Sequence, residues 1–203
     1  MPSRRHALLV APMLLALPRP ALAVRLRVGE VTALSGTAAA LFTGEPPRAL
    51  SPAAPIMLED LLTTGPAARL ACRLEGGIDV RMGENAALRV DALTLRGPRP
   101  GVALRGFGGA LLLEVPPADR RVPVDVTLPW AHIGVRGTRF FAGVVDGVHA
   151  VFVARGRVQL RVAGGTVLLG EGEGVDVPSD GIPGAVRSWA APRIARALSL
   201  VGA

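Results

Sequence analysis

The chain of 203 residues has a single cysteine, Cys72, so it cannot form a disulfide within itself. A hydrophobic core must therefore hold the fold, even in an oxidising compartment. In the segment R-L-A-C-R-L-E, Leu70, Cys72 and Leu74 alternate with two arginines and an alanine. On a strand this alternation turns the thiol inward, and no histidine or carboxylate partner is adjacent to it. We interpret Cys72 as a buried structural thiol.

Lysine and tyrosine are absent, and aromatic residues make up only 3% of the chain. A nucleic-acid-binding protein usually clusters its cations on one face and interleaves aromatic side chains for base stacking. The arginines are instead scattered along this sequence, within a composition that is also rich in alanine, glycine and proline. We attribute the high pI to compositional bias and expect no nucleic-acid partner.

Catalytic and metal-binding signatures are also missing. No G-x-S-x-G, H-E-x-x-H, Walker or C-x-x-C pattern occurs. His132 and His149 each lie alone in an apolar segment, without a second histidine or a cysteine at ligand spacing. Glu171, Glu173 and Asp176 accompany a glycine-rich turn but lack the spacing of calcium-binding loops. We expect a protein that is not an enzyme and that holds no metal or cofactor.

Residues 1–23 have the parts of a cleavable signal peptide: a basic start, an apolar run over residues 7–17 and the small-residue site Ala21-Leu22-Ala23. The run is too short to span a bilayer core of about 30 Å. The Sec route and, because of Arg4-Arg5, the Tat route are both open. We expect a periplasmic protein with no membrane span after cleavage. Cleavage would remove three of the 23 arginines and none of the 16 acids, which leaves a charge of +4.

Most of the remaining chain alternates apolar and polar residues with period two, which predicts half-buried strands. Clear examples are residues 24–28, 78–82 and 158–162. Residues 148–153, V-H-A-V-F-V, are apolar on both faces, so we expect an internal strand that is covered on both sides. Two-residue sequences that contain glycine, which are typical of hairpin turns, recur in the last part of this region: Asp146-Gly147, Arg155-Gly156 and Gly164-Gly165.

This pattern predicts an all-β fold, a roll or sandwich of many short, mainly antiparallel strands, with a β-solenoid as the alternative. A weak similarity between residues 69–80 and 157–168 favours two related hairpins. The β domain is expected over residues 24–183. Residues 184–203 are expected to form a tail with a short amphipathic helix, docked on the domain and anchored by Trp189. The apolar stripe of that helix is Ile194, Ala197, Leu198 and Val201.

The most distinctive segment is V-R-G-T-R-F, residues 135–140. Ala131, Ile133 and Val135 share one face of the preceding strand, and Gly137 permits a bulge or tight bend. The guanidinium of Arg136 can join loop carbonyls or meet a carboxylate such as Asp125 or Asp146. Thr138 can form local hydrogen bonds, and either Phe140 or Phe141 is expected in the core. We interpret Val135, Arg136, Gly137, Thr138 and Phe140 as a structural clasp.

The motif resembles the signature of the FecR domain, an all-β module on the outer side of the bacterial cytoplasmic membrane. Further blocks follow in the family's order at residues 28–36, 58–65, 75–83 and 154–160. In the best-known members, the resemblance implies a cytoplasmic anti-sigma segment, one membrane span and a periplasmic domain that senses an outer-membrane transducer. Only five or six residues precede the apolar run here, so we do not expect this chain to regulate a sigma factor by itself.

The expected function is that of a non-catalytic periplasmic binding or scaffold module. Its partner is expected to be an envelope protein, bound at exposed sheet edges or arginine-rich faces. A soluble accessory to surface signalling of the iron-uptake type is the first alternative. A cell-wall glycan binder is the second, although most of the aromatic residues that could stack on sugars lie in apolar runs. The sequence leaves the oligomeric state open.

Overall fold

The computed structural model describes residues 25–98, 100–117 and 122–203. The predicted signal peptide, residues 1–23, lies outside these ranges. Within them the secondary-structure elements are β1 (Arg27–Ser35), β2 (Ala38–Leu41), β3 (Arg48–Ala49), β4 (Pro55–Met57), β5 (Leu61–Thr64), β6 (Arg69–Leu74), β7 (Ile78–Met82), β8 (Ala87–Thr94), β9 (Gly101–Gly108), β10 (Leu111–Glu114), β11 (Val124–Leu128), β12 (Ala131–Val135), β13 (Arg139–Val145), β14 (Val148–Arg155), β15 (Val158–Val162), β16 (Gly165–Leu169), β17 (Glu173–Val177), β18 (Arg187–Ser188) and α1 (Ala191–Leu200).

The strands form two nine-stranded sheets. The order in the first sheet is β18-β17-β14-β13-β10-β7-β6-β1-β4, and the order in the second is β16-β15-β12-β11-β9-β8-β5-β2-β3. Strands β9 and β11 run parallel, and the other pairs are antiparallel. Neither sheet closes into a barrel. The all-β prediction is confirmed, and the arrangement is a two-sheet sandwich with a short C-terminal helix.

The chain alternates between the sheets as it advances. Hairpins β6–β7 and β13–β14 belong to the first sheet, whereas β8–β9, β11–β12 and β15–β16 belong to the second. The two segments with weak sequence similarity are therefore both hairpins, β6–β7 and β15–β16, but they lie in opposite sheets. Each passage from one sheet to the other needs a bend, and such bends place particular side chains at the border between the sheets.

The main core lies between the sheets and takes apolar side chains from both of them. Its pattern follows the alternation in sequence, because every second residue of a strand faces inward. Leu70, Cys72 and Leu74 of β6 are buried, as predicted. Burial, with a smaller contribution from the charge of Asp79, raises the pKa of the Cys72 thiol to about 12. Thiolate is therefore scarce at neutral pH, which fits a structural thiol.

A second cluster lies on the outer face of the first sheet, beneath α1. Ala150 and Phe152 of β14 face this cluster, while Val151 and Val153 of the same strand face the main core. The prediction that residues 148–153 form an internal strand covered on both sides is thus confirmed. The helix contributes Ala197 to the cluster, and Val201, the residue that follows the helix, also belongs to it. None of the helices in the described ranges is long and apolar enough to cross a membrane.

Three local expectations differ from the structure. Leu26 is exposed and β1 begins at Arg27, so the strand predicted over residues 24–28 starts later than expected. Arg155-Gly156 does not close a hairpin, because β14 and β15 lie in different sheets. Strand β18 pairs with β17, so β structure continues beyond the expected boundary at residue 183. The turn at Asp146-Gly147 has positive φ at both residues and closes the hairpin β13–β14, as predicted.

Candidate functional site

The V-R-G-T-R-F segment makes one of the passages between the sheets. Val135 is the last residue of β12 in the second sheet, and Phe140 lies in β13 of the first. Between them Gly137 has φ of +63°, a left-handed conformation that glycine adopts without steric cost. The backbone of Pro117 lies close to the position where a Cβ would stand. The predicted bend is therefore present, and it turns the chain from one sheet into the other.

Thr138 is the fully buried polar residue at the centre of this bend. Its Oγ1 lies 3.0 Å from the carbonyl oxygen of Arg157 and 3.3 Å from that of Arg136, to which it can donate. Its own carbonyl oxygen accepts a hydrogen bond of 2.9 Å from the backbone N–H of Val115. Thr138 thereby joins the passage from β12 to β13, the passage from β14 to β15 and the end of β10.

Replacing Thr138 with valine is expected to lower the free energy of unfolding by about 1–3 kcal/mol. Valine has nearly the same shape but no hydroxyl, so the partly buried carbonyl of Arg157 would lose this partner. Urea denaturation of wild type and variant measures the difference. Thr138→Ser retains the hydroxyl and serves as the control. Equal stability of the valine variant and wild type would show that the hydroxyl does not hold the bend.

Arg136 does not form the contacts predicted for it. Its side chain is exposed and has no hydrogen bond or ion pair with the described residues, Asp125 and Asp146 included. Asp146 instead bonds to Arg196 of α1, and this bond holds the pKa of Asp146 below its usual value. The predicted contact of the Arg136 guanidinium with Asp125 or Asp146 is therefore wrong. The bend turns this guanidinium outward, whereas the side chain of Thr138 points inward.

The two phenylalanines after the motif are both buried, whereas only one was expected in the core. Adjacent residues of a strand face opposite sides, and the first sheet has apolar contacts on both sides here. Phe140 packs in the main core between the sheets, and Phe141 packs beneath α1. The motif thus leads directly into a strand that both clusters need.

The outer face of the second sheet has a shallow trough next to this bend. It consists of two grooves of about 250 and 400 Å³ that share Asp125 and Gly134. Gly134 has no side chain and forms the floor, between Asp125 on β11 and Gln159 on β15. The cationic side chains along it are Arg136, Arg157 and Arg161, with His132 opposite Arg161. We call this surface the arginine trough.

The comparisons with known proteins agree with this geometry. The model of the family described as FecR protein matches residues 60–159, which include the motif and most strands of both sheets. Residues 60–159, just under half of the chain, are therefore similar to a FecR domain. The resemblance predicted from V-R-G-T-R-F is therefore confirmed. A search of curated proteins gave no match.

The fold of the chain is similar to that of a Parabacteroides distasonis protein described provisionally as an anti-sigma factor. Its crystal structures at 1.65 and 2.50 Å each match with a TM-score of 0.56 and 16% sequence identity. The match covers 66% of this chain and 62% of that one, so it spans less than two thirds of the solved protein. At this identity the likeness concerns the fold alone.

A larger groove, of about 680 Å³, lies at the end of the two-sheet sandwich. Trp130 forms one wall and stacks on His149, with ring centroids 4.7 Å apart and planes at 17°. Nδ1 of His149 is buried and has no hydrogen-bond partner in the described part of the chain. Arg161 reaches the rim, so this groove adjoins the arginine trough.

The described residues contain no group of three or more histidine, cysteine or acidic side chains placed to hold a metal ion. Two of the three acidic residues considered for calcium have structural partners instead. Glu173 accepts a hydrogen bond of 2.7 Å from the backbone N–H of Gly170, and Asp176 is paired with Arg193. These contacts engage two of the three carboxylates of this segment, Glu173 and Asp176.

Asp60 is a buried charged residue that sequence reasoning missed. It lies in the block L-E-D-L-L-T-T-G and is only 1% exposed. Arg25 and Arg48 approach its two carboxylate oxygens, each at 2.6 Å. The available signal was an acid within an apolar block at a family position, but its partners lie 35 and 12 residues away. No local pattern identifies partners at such separations.

Proposed function

We propose that this protein is a non-catalytic binding or scaffold module of the bacterial envelope, exported to the periplasm, which takes part in surface signalling. Three observations support the proposal. Residues 60–159 are similar to a FecR domain, the fold of the chain resembles that of a protein described provisionally as an anti-sigma factor, and its first residues have a signal-peptide pattern.

The difference between the two outer faces carries the proposal. On the first sheet, α1 and Trp189 cover Phe141 and Phe152, so the protein itself closes this part of the face. Elsewhere on that face, arginines are paired with carboxylates, as Arg73 is with Asp79. On the second sheet, no described residue covers the arginine trough. Next to it, β16 is an edge strand whose Leu168 is 73% exposed. An edge with unpaired backbone groups beside an open face is a surface on which a partner segment can add.

The aromatic side chains favour a protein partner over a glycan. Sugar binding usually needs an aromatic face that is free to stack. Arg25 lies over the ring of Phe42 at 3.7 Å, and His149 is stacked on Trp130. Phe140, Phe141 and Phe152 are buried in the two clusters. Most aromatic faces of the domain are thus already occupied by its own side chains.

Site-specific photo-crosslinking in the producing bacterium tests the proposal. We expect a benzoylphenylalanine at Leu168 on β16 to capture an envelope protein in a discrete adduct that mass spectrometry identifies. The matched control is the same probe at Val144, an exposed apolar residue of the opposite sheet. Little or no adduct is expected there. If Leu168 gives no adduct, or if both positions capture the same proteins equally, the binding role at this surface is wrong.

A further inference from the structure

The arginines of the described chain are mostly engaged. Carboxylates or backbone carbonyls hold Arg25, Arg27, Arg48, Arg69, Arg73, Arg81, Arg89, Arg105, Arg139, Arg155, Arg193 and Arg196. Those without a hydrogen bond or ion pair to a described residue are Arg96, Arg136, Arg157, Arg161 and Arg187. Arg136, Arg157 and Arg161 all line the arginine trough. Three of these five uncommitted arginines therefore lie along one open trough of the second sheet.

The trough has the shape of a site for an extended chain. Gly134 lowers its floor along β12, and Leu168 of the edge strand borders it on the far side. Arg157 directly precedes β15 and Arg161 lies within it, four residues further on, which corresponds to about 13 Å along a strand. On an extended segment, residues four apart also face the same side at that distance. Two acids with this spacing can therefore meet both guanidiniums.

The charge of the trough favours an anionic occupant. Asp125 is the carboxylate among the residues that line its two grooves, against Arg136, Arg157 and Arg161. A guanidinium presents a fixed fork of donors that matches a carboxylate in two parallel hydrogen bonds. Since these forks have no partner in the described chain, a carboxylate from another molecule does not have to displace one.

We propose that the arginine trough binds an acidic, extended segment of a partner protein, with carboxylates four residues apart on Arg157 and Arg161. This inference rests on the proposed binding function and adds the site and the chemistry of the partner. The apolar side chain of Leu168 and the free edge of β16 lie beside the bound segment and can extend the contact to its backbone.

Fluorescence anisotropy with the purified protein and labelled octaglutamate tests this proposal. At low ionic strength we expect saturable binding that weakens as salt is added. The variant Arg157→Gln/Arg161→Gln should bind about tenfold more weakly or worse, because two charged hydrogen-bonding groups are lost. The control Arg96→Gln/Arg187→Gln removes the same charge from two other exposed arginines that also have no described partner. Its affinity should stay within about twofold of wild type.

A second probe tests the spacing. Two labelled peptides of equal composition carry two glutamates in a glycine and serine background, either four residues apart or adjacent. The first should bind more tightly to wild type, and the preference should disappear in Arg157→Gln/Arg161→Gln. General attraction between opposite charges would give neither result.

Several outcomes would overturn the inference. Equal loss of affinity in the two double variants would show attraction by overall charge, and unchanged affinity of the trough variant would exclude this site. Binding to phosphatidylglycerol vesicles without binding to the acidic peptides would assign the arginines to a lipid surface. If wild type gives the crosslink at Leu168 but binds neither acidic peptide, the trough assignment is wrong and the proposed function stands. If wild type gives neither the crosslink nor peptide binding, the proposed function is also wrong.

Discussion

Replacement of Trp189 with alanine is expected to lower the free energy of unfolding by about 3–5 kcal/mol. The indole is only 9% exposed and stacks on Phe152, with ring centroids 5.1 Å apart. The guanidinium of Arg193 lies over it at 4.2 Å. Gly174 of β17 has no side chain, which lets the indole approach the sheet where a Cβ would overlap with it. Removal of the indole leaves a cavity between α1 and the sheet.

The other tryptophan of the chain provides a matched control for this prediction. Trp130 is half-buried at the wall of an open groove, so Trp130→Ala is expected to cost about 1 kcal/mol. Urea titrations of the two variants and wild type measure both changes on one scale. Similar losses in the two variants would contradict the assignment of Trp189 as the residue that anchors the helix.

The sequence predicted the part of the fold that depends on local periodicity. Residues 148–153 are apolar at successive positions, which requires cover on both faces, and the stripe of α1 requires a surface on which to pack. The structure joins these two features in one cluster. The sheet to which each hairpin belongs was not predictable in this way. It depends on pairings such as β9 with β11, whose residues are about twenty positions apart and separated by another strand.

The same limit explains the result at the V-R-G-T-R-F motif. Gly137 and the alternation before it predicted a bend, because backbone conformation is a local property. The partner of Thr138 is the carbonyl of Arg157, which lies 19 residues away, and the predicted contacts of Arg136 depended on long-range placement. Burial of Phe140 and Phe141 on opposite sides required knowledge that this part of the first sheet is covered twice. Local backbone conformation was therefore easier to predict than contacts between residues far apart in the sequence.

Asp60 shows most clearly what this fold gains from long-range pairing. Besides its two arginines, its Oδ2 accepts a hydrogen bond of 2.8 Å from the backbone N–H of Met57. Arg25 also donates to the carbonyl of Leu58. The triad of Asp60, Arg25 and Arg48 thus joins three segments: the residues before β1, strand β3, and the loop that precedes β5. Asp60 is the first residue of the family match. Burial of a charged carboxylate at this depth costs much free energy unless cations such as these pair with it.

We expect Asp60→Ala to lower the free energy of unfolding by about 3–5 kcal/mol, since it leaves partly buried guanidiniums without a counter-charge. Asp60→Asn keeps the shape and can still accept from Met57, so its loss should be smaller. The control Asp79→Ala breaks an exposed pair with Arg73 and should cost less than about 1 kcal/mol. Urea denaturation of wild type and the three variants measures these losses in the free energy of unfolding. A loss in Asp60→Ala no larger than that in Asp79→Ala would mean that the triad organises the N-terminal strands without stabilising them, because the cost of desolvating its charges would then cancel their attraction.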